Sequence, residues 1–217
     1  MGKLFNYDNG LMQTLAKLFD CMCLNILWIV CCIPIFTVGA ASSAYYYAYN
    51  KAIRQKRSYA WKEFFHGFRI NFKQGTVIWL IVLLLYVVTG VDLYILGQMS
   101  SSMKFAGILS AVIFAVMLLM TMWLTYLFPY LARFENKTKA IMKNSAIIMV
   151  ANLPWSLLLL VLFVVTAGAF FLFPGLGMFA PAIYLVFATM ILERVFRKYM
   201  APEDLEAEQE IDMYRKR

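Results

Sequence analysis

Between Lys143 and Glu193 the chain carries no formal charge, and between Lys73 and Arg133 it carries only Asp92 and Lys104. Runs of 18 or more residues of this kind read as membrane spans. Hydrocarbon offers no water to the backbone, so each run must satisfy its own hydrogen bonds, as a helix does. The whole chain agrees. It is 63 % hydrophobic and 15 % charged, whereas a soluble domain is roughly half apolar and about a quarter charged. The reading is all-α: a polytopic integral membrane protein.

Four spans are clear, at Gly75–Gly97, Phe105–Leu131, Leu153–Phe173 and Met178–Leu192. The polar "GQMSSSMK" joins the first pair and the Pro/Gly turn "FPGLG" the second. Residues 1–200 are read as one transmembrane helical domain. Residues 201–217 form a charged tail, in which "PEDLEAEQEID" carries six acids before "YRKR".

The opening segment poses a harder question. From Leu18 to Asn50 the only formal charge is Asp20, and Pro34 lies inside the run. As one helix, 33 positions would measure roughly 50 Å against a hydrocarbon core of about 30 Å. A turn at Pro34 makes two helices instead, Leu11–Cys32 and Thr37–Arg54. The small residues of "GAASSA", 39–44, favour close helix approach in lipid. Tyr45, Tyr46, Tyr47 and Tyr49 fit an aromatic belt. The adopted reading is two spans here and six in all. A single span over 18–38 would leave five and place the N-terminus outside.

Lysine and arginine set the orientation. Lys51–Lys73 holds seven basic residues against Glu63, and Arg133–Lys143 holds four against Glu135. Arg194, Arg197 and Lys198 follow the last span, whereas the opposite loops hold only Lys104. The positive-inside rule puts all three clusters in the cytoplasm, with the C-terminus and, for six spans, the N-terminus. The expected location is a cell membrane, crossed several times. The net charge of +8 is thus a topology signal, and no basic, aromatic-interleaved domain suggests nucleic acid.

Two polar segments read as cytoplasmic interfacial helices. In "SYAWKEFFHGFRINFKQ", Trp61, Phe64, Phe65, Phe68 and Phe72 recur at helical spacing, with Lys62, His66, Arg69 and Lys73 elsewhere around the wheel. That pattern suits a helix in the headgroup plane of an anionic inner leaflet, or a docking surface for a partner's acids. "TKAIMKNSAIIMVA", 138–151, is a weaker counterpart. Each precedes a hairpin whose first span carries a Trp near its start, Trp79 or Trp155, so a duplicated unit is expected.

Within the spans, the polar candidates are Asp20, Asn25 and Asp92, since intramembrane ionisable residues are costly and mark function by default. Their plainer readings are a local pair of Asp20 with Lys17, an interhelical hydrogen bond at Asn25, and outer-interface exposure at Asp92. Cys21, Cys23, Cys31 and Cys32 cannot converge on one metal along a helix. The only histidine is His66. No Ser/His/Asp set, phosphate loop or metal motif occurs, so neither a cofactor nor enzymatic catalysis is expected.

Three segments carry a family resemblance: "LNILWIVCCIPIFTVGAASSAYYYAYNKAIR" at 24–54, "WKEFFHGFRINFKQGTVIWL" at 61–80, and "YLFPYLARFENKTKAIMKNSAIIMVANLPWSLLLL" at 126–160. Over roughly residues 5–200 the chain resembles the YesL family, small bacterial membrane proteins defined by a domain of unknown function. The resemblance implies a carbohydrate-utilisation setting, beside sugar-uptake ABC permeases and sensor kinases, and carries no catalytic residue. The functional expectation is a non-enzymatic accessory or partner subunit of such a transport system or its sensor. The alternative is a small transporter or channel with Asp20, Asn25 and Asp92 along its pathway.

Overall fold

Proline has no N–H and cannot continue a helix, and the chain turns at Pro34. Helix α1 (Gly10–Cys32) stops just before it, a short 3-10 turn covers Ile35–Thr37, and α2 (Val38–Ala48) runs back. The return is antiparallel: Trp28 Nε1 donates to Ser42 Oγ at 3.2 Å, and Tyr45 donates through its hydroxyl to Asn25 Oδ1 at 3.3 Å. The rings of Trp28 and Tyr45 stack at 5.8 Å. Residues 10–54 therefore form two helices folded at Pro34. In this computed structural model the described residues are 10–54, 59–99, 104–172 and 179–200, with 202–203 and 205–206. The expected turns near 100–103 and 173–177, and nearly all of the acidic tail, lie outside them.

Helix α2 occupies the centre of the bundle. Gly39, Ala40, Ala41, Ser43, Ala44, Tyr45, Tyr46 and Ala48 are all buried. Helix α3 (Ala60–Met99) presses against it backbone to backbone. A Cβ on Gly39 would collide with the Gly75 carbonyl oxygen, and one on Gly75 would meet Ala40 Cα at 2.9 Å. The small-residue run thus does what lipid packing asks of it. Beyond Ala48 the helix widens into a π turn, Tyr49–Arg54.

Helix α3 corrects the expectation of a separate interfacial helix at 58–74. It is one continuous helix of 40 residues, about 60 Å long. Gly75, the natural place for a kink, is used for the close approach to α2 instead. The buried stripe Ala60, Phe64, Gly67, Asn71, Gly75, Ile78 and Val82 keeps helical spacing straight through it.

Helix α4 (Lys104–Arg133) returns antiparallel to α3, with the hydroxyls of Tyr86 and Thr121 2.8 Å apart. Helix α5 (Thr138–Ala151) ends at Asn152, whose φ of −124° and ψ of 44° leave the helical region. Helix α6 (Leu153–Leu172) then departs at 100° to α5. Pro154 favours this break, because it has no N–H to give to the Val150 carbonyl and its ring would clash with that group in a continuous helix, whereas the first turn of a new helix tolerates it. The two expected repeat units therefore differ: the first is continuous, the second bent. Helix α7 (Ala180–Phe196) pairs antiparallel with α6, Phe163 lying 5.8 Å from Tyr184 between ring centres.

The core gathers at the basic ends of these hairpins, around Tyr46, Phe64, Tyr126, Ile141, Leu192 and Phe196. Outward, α3 exposes Leu84, Val88, Val91 and Ile95, and α4 exposes Ile108, Val112 and Leu119. By length and composition α3 and α4 can each cross a membrane, and the α5–α6 pair adds a third if taken as one bent span. The described residues contain helices and no strand.

Candidate functional site

The basic end of α7 reaches the core with a carboxylate. Leu185, Ala188, Thr189, Leu192, Glu193 and Phe196 share its buried face, and Glu193 is 3 % exposed. A carboxylate withdrawn from water needs donors in compensation, and three other helical segments supply them. Tyr46 of α2 donates through its hydroxyl to Glu193 Oε1 at 2.8 Å. Asn50 Nδ2, brought round by the π turn, donates to the same oxygen at 2.7 Å. Arg133 Nη2, at the end of α4, stands 3.5 Å from Oε2. π turns recur at functional positions because they re-aim a side chain without ending the helix. Here the turn aims Asn50.

A second polar group lies beside the first. Ser156 Oγ sits 3.0 Å from the Tyr126 hydroxyl and 2.8 Å from the Met149 carbonyl, joining α6 to α4 and α5. Asn152 Nδ2 donates to the Tyr199 hydroxyl at 2.9 Å, tying the α5–α6 break to the residues after α7. Asn136 and Asn144 both donate to the Tyr130 hydroxyl, at 3.3 and 3.2 Å. Polar contacts thus stitch all the hairpins together at their basic ends. Chemically, the arrangement can hold charge and fix helix positions; its groups are donors and acceptors already engaged with one another.

The three intramembrane candidates are not brought together. Asn25 is fully buried between α1 and α2 and takes the interhelical hydrogen bond from Tyr45. Asp92 is exposed toward the far end of α3. No ion pair joins Asp20 to Lys17 among the described residues; Lys17 instead lines a cleft with Glu193 and Arg197. The four cysteines are free thiols.

The candidate interfacial set divides. Phe64 is fully buried and Phe68 packs on the core, whereas Trp61, Phe65 and Phe72 are exposed, as are Lys62, Arg69 and Lys73. The five aromatics therefore do not enter one interface together. Lys62 lies over the rings of Tyr59 and Trp61, at 5.5 and 5.6 Å.

Tyr46, Asn50, Arg133 and Glu193 were not singled out by the sequence. Tyr46 reads as belt, Arg133 as a topology marker and Glu193 as the end of a span. The available signal was periodicity: Glu193 follows Leu185 and Thr189 in four-residue steps, in line with them on one face.

A protein family described as "Protein of unknown function, DUF624" matches residues 21–93. That stretch covers most of α1, the fold at Pro34, α2, the π turn and α3 to Leu93. It includes Tyr46 and Asn50 and leaves Arg133 and Glu193 outside. No curated protein and no solved structure matches the chain.

Proposed function

We propose that the protein is a non-enzymatic, YesL-like subunit of a bacterial membrane complex, partnering a sugar-uptake ABC permease or its sensor kinase. The observation that carries the reading is the state of the α3–α4 hairpin. Only 11 % of the most apolar window of either helix is buried inside the molecule. Beyond Val82 on α3 and ahead of Met122 on α4, Ala106 is the one buried residue among those described, so the hairpin offers apolar surface on more than one side. Lipid can cover such faces, and on this reading a second protein's spans, packed closely against the hairpin, cover one of them. The link to carbohydrate uptake comes from the YesL resemblance.

The same reading takes α1, α2, α3, α4, α6 and α7 as six spans, α5 lying at the inner interface. Supporting it are the antiparallel α1–α2 hairpin and the clustering of basic residues at one end of every hairpin; by the positive-inside rule this reading has both termini in the cytoplasm. Helix α2 needs little apolar character of its own, because neighbouring helices rather than lipid surround it.

Photo-crosslinking residues at Val88 and Val112, in cells growing on sugars, test the proposal. Crosslinks to a permease or sensor, retained through mild-detergent purification, are expected. Solute movement by the purified chain alone in liposomes, abolished by Asp20→Asn or Asp92→Asn, would overturn it in favour of a transporter.

A further inference from the structure

Glu193 forms part of the wall of a cleft of about 590 Å³ between α1, the π turn and α7. Lys17, Arg194 and Arg197 also line it, so three cations face one carboxylate, and that carboxylate is turned inward onto Tyr46, Asn50 and Arg133. Lys17 and Arg194 are exposed. Arg194 is steadied by Trp155, its guanidinium 5.7 Å from the ring centre.

The lining changes along α7. Val186 and Met190 belong to the same cleft, and Val186 lies eight residues before Arg194, about 12 Å along the helix axis. Met190 is 67 % exposed. Between these levels sits Thr189, 2 % exposed, whose buried hydroxyl has no hydrogen-bond partner. A buried hydroxyl without a partner is costly, and Thr189 is one of the residues lining the cleft. Along the helix the lining therefore runs from Arg197 and Arg194 through the neighbours Met190 and Thr189 to Val186: cations at one end, and apolar side chains flanking the one hydroxyl beyond them.

We infer that the cleft holds the headgroup of an anionic phospholipid of the inner leaflet. The phosphate sits between Lys17 and Arg194, the Thr189 hydroxyl donates to an ester oxygen, and an acyl chain lies along Val186 and Met190. A small free anion would use the rim alone and leave the apolar wall and Thr189 unserved. The inference rests on the cytoplasmic placement of the basic ends, and not on any protein partner.

Native mass spectrometry of the full chain, purified in mild detergent and offered equal phosphatidylglycerol and phosphatidylcholine, tests it. Retention of phosphatidylglycerol over phosphatidylcholine is expected. Lys17→Gln with Arg194→Gln should weaken it roughly thirty-fold, as two lost charges at an anionic surface would, and Lys62→Gln with Lys73→Gln on α3 should not. Thr189→Val keeps the shape of the side chain and should weaken retention severalfold, which decides the matter if the double variant does not fold. Equal retention of the two lipids, indifference to the cleft variants, or displacement by millimolar inorganic phosphate would overturn the lipid assignment.

Discussion

Arg133 Nη2 stands 3.5 Å from Glu193 Oε2, with both side chains withdrawn from solvent. This contact closes the molecule: it joins the end of the α3–α4 hairpin to the end of the α6–α7 hairpin, while Tyr46 and Asn50 tie in the α1–α2 hairpin through the other carboxylate oxygen. One side chain on α7 thus ties all three hairpins together.

Removing one partner of a buried pair strands the other, at a cost of about 3–5 kcal/mol. Arg133→Met should therefore lower the thermal midpoint in detergent sharply. The double variant Arg133→Met with Glu193→Gln should recover part of the loss, because a neutral amide keeps an acceptor for Tyr46 and Asn50. A double variant at least as unstable as the sum of the two single ones would show that the pair is not coupled.

Close approach of α2 and α3 predicts a glycine effect that depends on position. A Cβ on Gly39 would lie 2.7 Å from Trp79 Cβ and 2.8 Å from a Phe128 ring carbon, whereas Gly90 has open space. Overpacking costs about 1–3 kcal/mol, so Gly39→Ala and Gly75→Ala should destabilise while Gly90→Ala is neutral or slightly stabilising. Thermal unfolding of the three purified variants, read side by side, makes the comparison.

Along the first turns of α3, cysteine labelling should alternate. Positions 61 and 65 should react with a membrane-impermeant maleimide applied to inside-out vesicles, and position 64 should resist it. Phe64→Ala should cost about 3–5 kcal/mol, as core Phe truncation does, and Trp61→Ala much less. Uniform labelling of all three positions would refute the continuous buried stripe.

The six-span arrangement predicts both termini in the cytoplasm. A reporter active only outside the cell, fused at Met1, should stay silent, and one inserted near Ser101 should be active. Activity at Met1 would leave five spans.

Charge-free runs announced long apolar helices able to cross a membrane, since hydrocarbon admits few other backbones, and the lysines and arginines gave every hairpin a common basic end. Pro34 and the small residues at 39–44 announced a fold and a close contact. Local sequence could not say which partner each residue would meet. The aromatics at 61–72 have the spacing of an interfacial helix, yet Phe64 turns to the core because α2 is narrow enough at Gly39 to let α3 pass straight by. Glu193 reads as the charged end of a span and becomes the centre of a buried network, because Tyr46, Asn50 and Arg133 arrive from segments far away in sequence. Burial and pairing are properties of neighbours, and only the packed structure brings Glu193 to Tyr46 across 147 positions.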